Sequence, residues 1–169
     1  MEKEHLEQLR ETAQRLGAVE ATEIDPSDVV TAPWVRLKCQ YGCAGYGRSL
    51  TCPPHSPTPE QTRAVLDGYS EALLVHGDGN TDIHKVVVAL EREAFLLGYY
   101  KAFGMGAGPC QLCAECAGAH GCRHGDEARP SMEACGIDVF ETVRSQDLAI
   151  EVLSSTECQG NYYGLVLIE

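Results

Sequence analysis

Cys110, Cys113, Cys116 and Cys122 fall within thirteen residues, in the run GPCQLCAECAGAHGCRHG. No other feature limits so sharply what this chain can fold into. Three thiols at intervals of three residues can converge on one small inorganic body. The cube of an iron–sulfur cluster needs that convergence, because each of its irons takes one thiolate.

A second thiol set lies upstream, spaced Cys39-x3-Cys43-x8-Cys52 and followed by Pro53 and Pro54. Its loop carries Gly42, Gly45 and Gly47. Glycine lets backbone N–H groups approach cluster sulfides, and such hydrogen bonds tune the centre. A loop rich in Gly and Pro is a poor place for a cysteine that only packs. The chain has nine cysteines, an odd number that cannot all pair. With no apolar h-region in MEKEHLEQLRETAQRL, the expected compartment is the cytoplasm, where thiols stay reduced. Metal ligation then explains the count better than a disulfide framework.

The spacing of the run from Cys110 to Cys122 resembles the bacterial ferredoxin pattern. It departs in its longer last gap and in having Arg123 where that pattern has Pro. Zinc is the rival metal, with His120 and His124 as nitrogen ligands, but structural zinc sites present two pairs of ligands rather than a triplet. Two cysteines are left, Cys135 and Cys158. In one allocation Cys110, Cys113, Cys116 and Cys122 hold one cluster, while Cys39, Cys43 and Cys52 hold another with Cys135 or with no fourth thiolate. In the other, Cys122 and Cys135 exchange sites, as the fourth Cys does in two-cluster ferredoxins. Cys158, beside Glu157 and Gln159, is expected to be an ordinary residue.

Other groups bear on the site. Arg48, Arg123 and Arg129 lie near the cysteine runs and could offset the charge of an anionic cube. His55, in CPPHSP, could donate a proton to something bound there. Tyr41 and Tyr46 are expected to pack over the cluster. There is no GxGxxG, P-loop, GxSxG or HExxH, which removes the common nucleotide, phosphate and hydrolase chemistries. A net charge of −12 argues against nucleic acid and against an anionic membrane surface. No apolar run approaches the length of a membrane span.

The pattern along the chain predicts a helix over 3–16 closed by Gly17, then a linker. Alternation of Val35, Leu37 and Cys39 predicts a strand over 34–39. Thr58, Pro59 and Gln61 predict a capped helix to about residue 68. A strand over 71–76, a long helix over about 81–102 and a strand over 103–109 follow. Short helices are expected at 132–135 and 138–146, and closing strands at 149–153 and 163–168. The fold expected is α/β or α+β, a central mixed sheet flanked by helices with cysteine-rich loops. Residues 1–30 form the N-terminal helix and linker, and 31–169 the metal-binding domain. The two cysteine regions flank a strand–helix–strand unit, which could set both loops at the same end of the sheet.

Several segments together resemble the predicted metal-binding proteins grouped as domain of unknown function 2284. They are Cys39-Gln-Tyr-Gly-Cys43, Cys52-Pro-Pro-His-Ser-Pro-Thr-Pro-Glu60, Gly108-Pro-Cys110-Gln-Leu-Cys113-Ala-Glu-Cys116 and Cys122-Arg-His124. Ala128-Arg-Pro-Ser-Met-Glu-Ala134, Gly136-Ile-Asp-Val139 and Tyr163-Gly-Leu-Val-Leu167 complete them. The resemblance covers about residues 34–169 and leaves Cys158 outside. It implies metal binding, with iron–sulfur as its form. From the residues themselves, the expected role is electron transfer by one or two [4Fe–4S] clusters to a redox protein or enzyme partner. The alternatives are an iron–sulfur enzyme with one open iron, for dehydration, desulfuration or a reductive step, and a structural zinc module. A homodimer is compatible with the acidic surface.

Overall fold

Ala72–Gly77 (ALLVHG) carries a near-continuous apolar run, and a strand of that kind must be covered on both faces. The computed structural model, which describes residues 1–155 and 158–169, places it as an inner strand. The order is α1 (Lys3–Arg15), β1 (Glu20–Ile24), α2 (Pro33–Gly42), α3 (Pro59–Leu66), β2 (Ala72–Gly77), α4 (Ile83–Leu96), β3 (Phe103–Met105), α5 (Val139–Ser145) and β4 (Tyr162–Leu167). Single 3-10 turns lie at Pro26–Asp28, Gly118–His120 and Glu133–Cys135. The sheet order is β1-β2-β4-β3, and this is an α+β fold.

All three ladders are antiparallel, so the sheet is antiparallel rather than mixed. β2 and β3 still point the same way, since each runs against β4. The connection through α4 is therefore a strand–helix–strand unit with β4 inserted between its strands. Period-two alternation splits the sheet's side chains between two cores. Leu73, Val75, Val166 and Ile168 meet α1 and α4 through Leu9, Ala13, Val86, Val87 and Leu90. Leu74, Leu165 and Leu167 meet the other layer, where Leu66, Met132, Cys135, Ile137 and Val143 pack. Each fully buried Leu or Val contributes about 1.5–3 kcal/mol. α1 and β1 thus share the core and sheet of the rest of the chain.

Two expected strands are absent among the described residues. Residues 34–39 form no strand but most of α2. Pro33 stands at the first helical position, Ala32 is its extended N-cap, and the Ala32 N–H donates to Gly136 O at 2.8 Å. Of the alternating residues only Val35 is buried, while Leu37 is exposed, so the apparent period of two does not reflect a sheet face. Residues 149–153 are not a strand either, because β2 and β3 already occupy both edges of β4. The edge strands are β3 and β1, and the EATEI sequence of β1 buries only Ala21 and Ile24. The long helix ends at Leu96, and Gly98 at φ +104° turns the chain toward β3.

Glycine is needed where layers approach. A Cβ on Gly164 would lie 2.7 Å from both Ile83 Cγ2 and Val87 Cγ1, so its absence lets α4 settle on β4. Gly136 has φ +76°, and a Cβ there would lie 2.5 Å from Pro59 Cγ. That glycine seats the 133–135 turn against α3. Among the described residues no helix is long and apolar enough to cross a membrane.

Candidate metal centre

The two cysteine regions do not leave the sheet at one end. The first loop runs from the C-terminal end of β1 to the N-terminal end of β2, and Ile24 pairs with Ala72 there. The second leaves β3 at Met105, toward the opposite end, where Tyr162 pairs with Gly77. The geometry of two parallel strands requires this: the loop before the first and the loop after the second lie at opposite ends. The loops meet instead where Ser49, Leu50 and Thr51 share a cleft with Cys110, Cys113, Cys116 and Cys122.

The first set begins on α2, which carries Cys39 and is C-capped by Cys43. Arg36 of α2 donates to Pro57 O at 2.5 Å and Ser56 O at 3.3 Å, which ties the CPPHSP loop to the helix. Ser56 Oγ donates to Ala134 O, and Thr62 Oγ1 to Cys135 O, both at 2.6 Å. Gly45 N–H donates to Cys43 Sγ at 3.3 Å, the kind of sulfur-directed hydrogen bond the glycines make available. Burial pushes the Cys39 thiol up, and the neighbouring charges of Cys43, Glu133 and Cys52 push it further. Burial also raises Cys52, against hydrogen bonds from Thr51 and Ser49, while Cys43 and Cys110 add repulsion. So Cys39, Cys43 and Cys52 lie within electrostatic reach of one another, and Cys52 lies within reach of the second set.

That second set lines one cleft. Cys110, Cys113, Cys116 and Cys122 share it with Ser49, Leu50 and Thr51 of the first loop, and with Arg123 and His124. Backbone N–H groups of Gly118 and Leu50 lower the Cys116 thiol, with help from Ser49 and the Arg123 charge. Arg123 donates to Glu115 O at 2.6 Å, and His124 N–H to Cys122 Sγ at 3.4 Å. His120 is exposed and outside the cleft. The donor set suits a thiophilic metal. The free space is about 30 Å³, which accepts one ion or one or two waters. A cube requires the 110–122 loop to stand further out. Among the described residues, no three His, Cys, Asp or Glu side chains converge as they would around a single ion.

The remaining candidates are placed as follows. Cys135 is 0% exposed in the core between the sheet and α5. Burial pushes its thiol up to about 12, and the charges it feels are those of Arg36 and Glu133 rather than another thiol. His55 is exposed and lines a cavity shared with Cys122 and Cys135. Tyr41 is 80% exposed. Arg129 does not stand free to offset cluster charge: it forms a two-pronged pair with Glu91 at 2.6 and 2.5 Å. Sequence reasoning missed Glu91, Arg36 and Glu133, since their partners come from distant segments and no local pattern marks them.

Cys158 is exposed, and hydrogen bonds from the Ser154 and Ser155 hydroxyls lower its thiol to about 7. At pH 7 about half of it is then thiolate, against roughly three per cent for an unperturbed thiol. Brief iodoacetamide treatment followed by peptide mapping should show Cys158 labelled first, with its rate half-maximal near pH 7. Preferential labelling of any other cysteine, or a midpoint above pH 8, contradicts this.

A family model described as "Predicted metal-binding protein (DUF2284)" matches residues 22–168. No curated protein matches the chain, and no solved structure does.

Proposed function

The chain belongs to the family of predicted metal-binding proteins called domain of unknown function 2284, and on that premise we propose that its two thiol sets hold one or two [4Fe–4S] clusters that pass electrons to a partner protein. The observation that carries this reading is the adjacency of the sets. Ser49, Leu50 and Thr51 form a wall of the second cleft, and Cys52 feels the charge of Cys110. Cys43 and Cys122 are exposed, so each set reaches the surface, as electron exchange with another protein requires.

The ligand allocation we propose is supported by burial and by the shared cleft. Cys110, Cys113, Cys116 and Cys122 serve one centre. Cys39, Cys43 and Cys52 serve the other without a fourth thiolate, because Cys135 is fully buried in the apolar core. Bound there, the metal supplies one-electron redox chemistry. The chain positions thiolates, keeps N–H groups on Cys43, Cys116 and Cys122, and limits water on the Cys39 side. A net charge of −12 favours a partner with a basic docking face.

A second reading is an enzyme with an open iron on the first set. A cavity of about 460 Å³ beside Cys39 and Cys43 favours it, since an electron carrier needs no such space. Metal and sulfide analysis of anaerobically purified protein tests the iron–sulfur reading, with several irons and matching sulfide expected per chain. A colourless protein with stoichiometric zinc and no sulfide would falsify it.

A further inference from the structure

The cavity that His55 lines differs from the others in its charge. It measures about 600 Å³, which is small-molecule size. Pro57, Val65, Tyr69, Phe103, Met105 and Pro130 supply its apolar walls. Among the described residues no Asp or Glu lines it, although the chain has 25 of them. Three other sizeable cavities all carry carboxylates: Glu133 and Glu151 in one, Asp78 and Asp82 in the second, Glu93 and Glu127 in the third.

Its charged group is a cation. Lys101, two residues before β3 begins, lines the cavity. The ammonium has only neutral partners: Gly68 O at 3.4 Å and the Tyr69 ring, 5.5 Å to the centroid. Among the described residues it forms no ion pair. The contact with Gly68 is an exposed one, so an anion entering from solvent can reach the ammonium. The Tyr69 hydroxyl donates to Lys101 O at 2.6 Å, which fixes the backbone that carries the cation. His55 is exposed and adds a ring N–H.

We infer that this cavity binds a small apolar organic acid, its carboxylate on the Lys101 ammonium and its body against Val65, Tyr69 and Phe103. A charge-assisted hydrogen bond gives the cation the anionic partner that the chain does not supply. The acid-free lining leaves no carboxylate to repel the ligand. Cys122 lies on the wall that the cysteine loop builds, and an anionic cluster held there would repel the acid. Lys101 belongs to a different wall, against the turn that follows α3, so the acid needs no bond to a metal. The inference rests on the cavity and its charge, and does not depend on which metal the thiols hold.

The test uses phenylacetate, 2-phenylethanol and 2-phenylethylamine, which share a ring and differ in charge. Each is titrated calorimetrically into anaerobically purified protein. Phenylacetate is expected to bind about fivefold more tightly than the alcohol, with the amine weakest. Lys101→Met should abolish that preference and leave the alcohol's affinity unchanged. Lys38→Met removes an exposed lysine that lines a different cavity, and it should keep the preference. The inference is overturned if the three bind alike, if the amine binds best, if none binds, or if Lys38→Met removes the preference as fully as Lys101→Met does. Phenylacetate binding that survives Lys101→Met and shifts the visible spectrum would put the acid on the metal and also overturn it. Should Lys101→Met not fold, the comparison of probes on the unaltered protein decides by itself. Metal and sulfide measured on the same sample separate the two claims. Acid selectivity in a zinc-only protein would uphold this one and defeat the iron–sulfur reading, and a cluster-bearing protein that ignores acids would do the reverse.

Discussion

Arg129→Met is expected to lower the unfolding free energy by about 3–5 kcal/mol, because it strands a half-buried carboxylate. The side chains of Arg129 and Glu91 are 12% and 15% exposed. Glu91 Oε2 also accepts Gly104 N–H at 2.7 Å, so the pair clamps α4 to β3. On its other side the guanidinium donates to Ala128 O at 2.9 Å and to Gly125 O and Asp126 O at 3.3 Å. Its Cζ also lies over the Phe103 ring, 5.3 Å from the centroid. One residue thus anchors the end of the cysteine loop to the sheet. Lys cannot reproduce the fork, so Arg129→Lys should recover only a small part of the loss. Urea denaturation measures both. A cost under 1 kcal/mol for Arg129→Met would show that the clamp contributes little. The double variant Glu91→Leu/Arg129→Met should fall well short of the sum of its singles, because removing both charges leaves neither unpaired.

Cys122→Ala is expected to remove about four irons per chain, the complement of one cube, while Cys135→Ala leaves the metal content unchanged. The difference lies in surroundings rather than in spacing. Cys122 shares a cleft with three other thiols, whereas Cys135 is fully buried among Leu66, Met132, Ile137 and Val143. A thiol held at about 12 resists the deprotonation that ligation demands. Cys135→Ala should instead cost about 1 kcal/mol for the small cavity it leaves. Iron and sulfide analysis of both variants decides the matter. Equal iron loss in the two would place Cys135 in the coordination shell and overturn the allocation proposed above.

Much of the framework was legible because it is local. Thr58, Pro59 and Gln61 announce α3, and the structure forms that capping box, with Gln61 N–H on Thr58 Oγ1 at 3.2 Å and Thr58 N–H on Gln61 Oε1 at 2.8 Å. The apolar steps of α4 and the dense run of β2 likewise declare themselves. α2 did not, because three alternating residues look alike on a strand and on a short helix. The distinction came from Ala32 hydrogen-bonding Gly136, about a hundred residues away.

The sequence by itself determined which thiols are grouped. Ligand spacing is a short-range property, and Cys110, Cys113, Cys116 and Cys122 fall into one cleft without help from chain topology. It also determined the family. Tertiary structure decided what surrounds those thiols. It brought the two loops together from opposite ends of the sheet, withdrew Cys135 into the core, paired Arg129 with Glu91 and left one oxygen of Glu133 buried without a partner. Burial and charge pairing are set by contacts between segments far apart in the chain, and no local pattern of residues carries them.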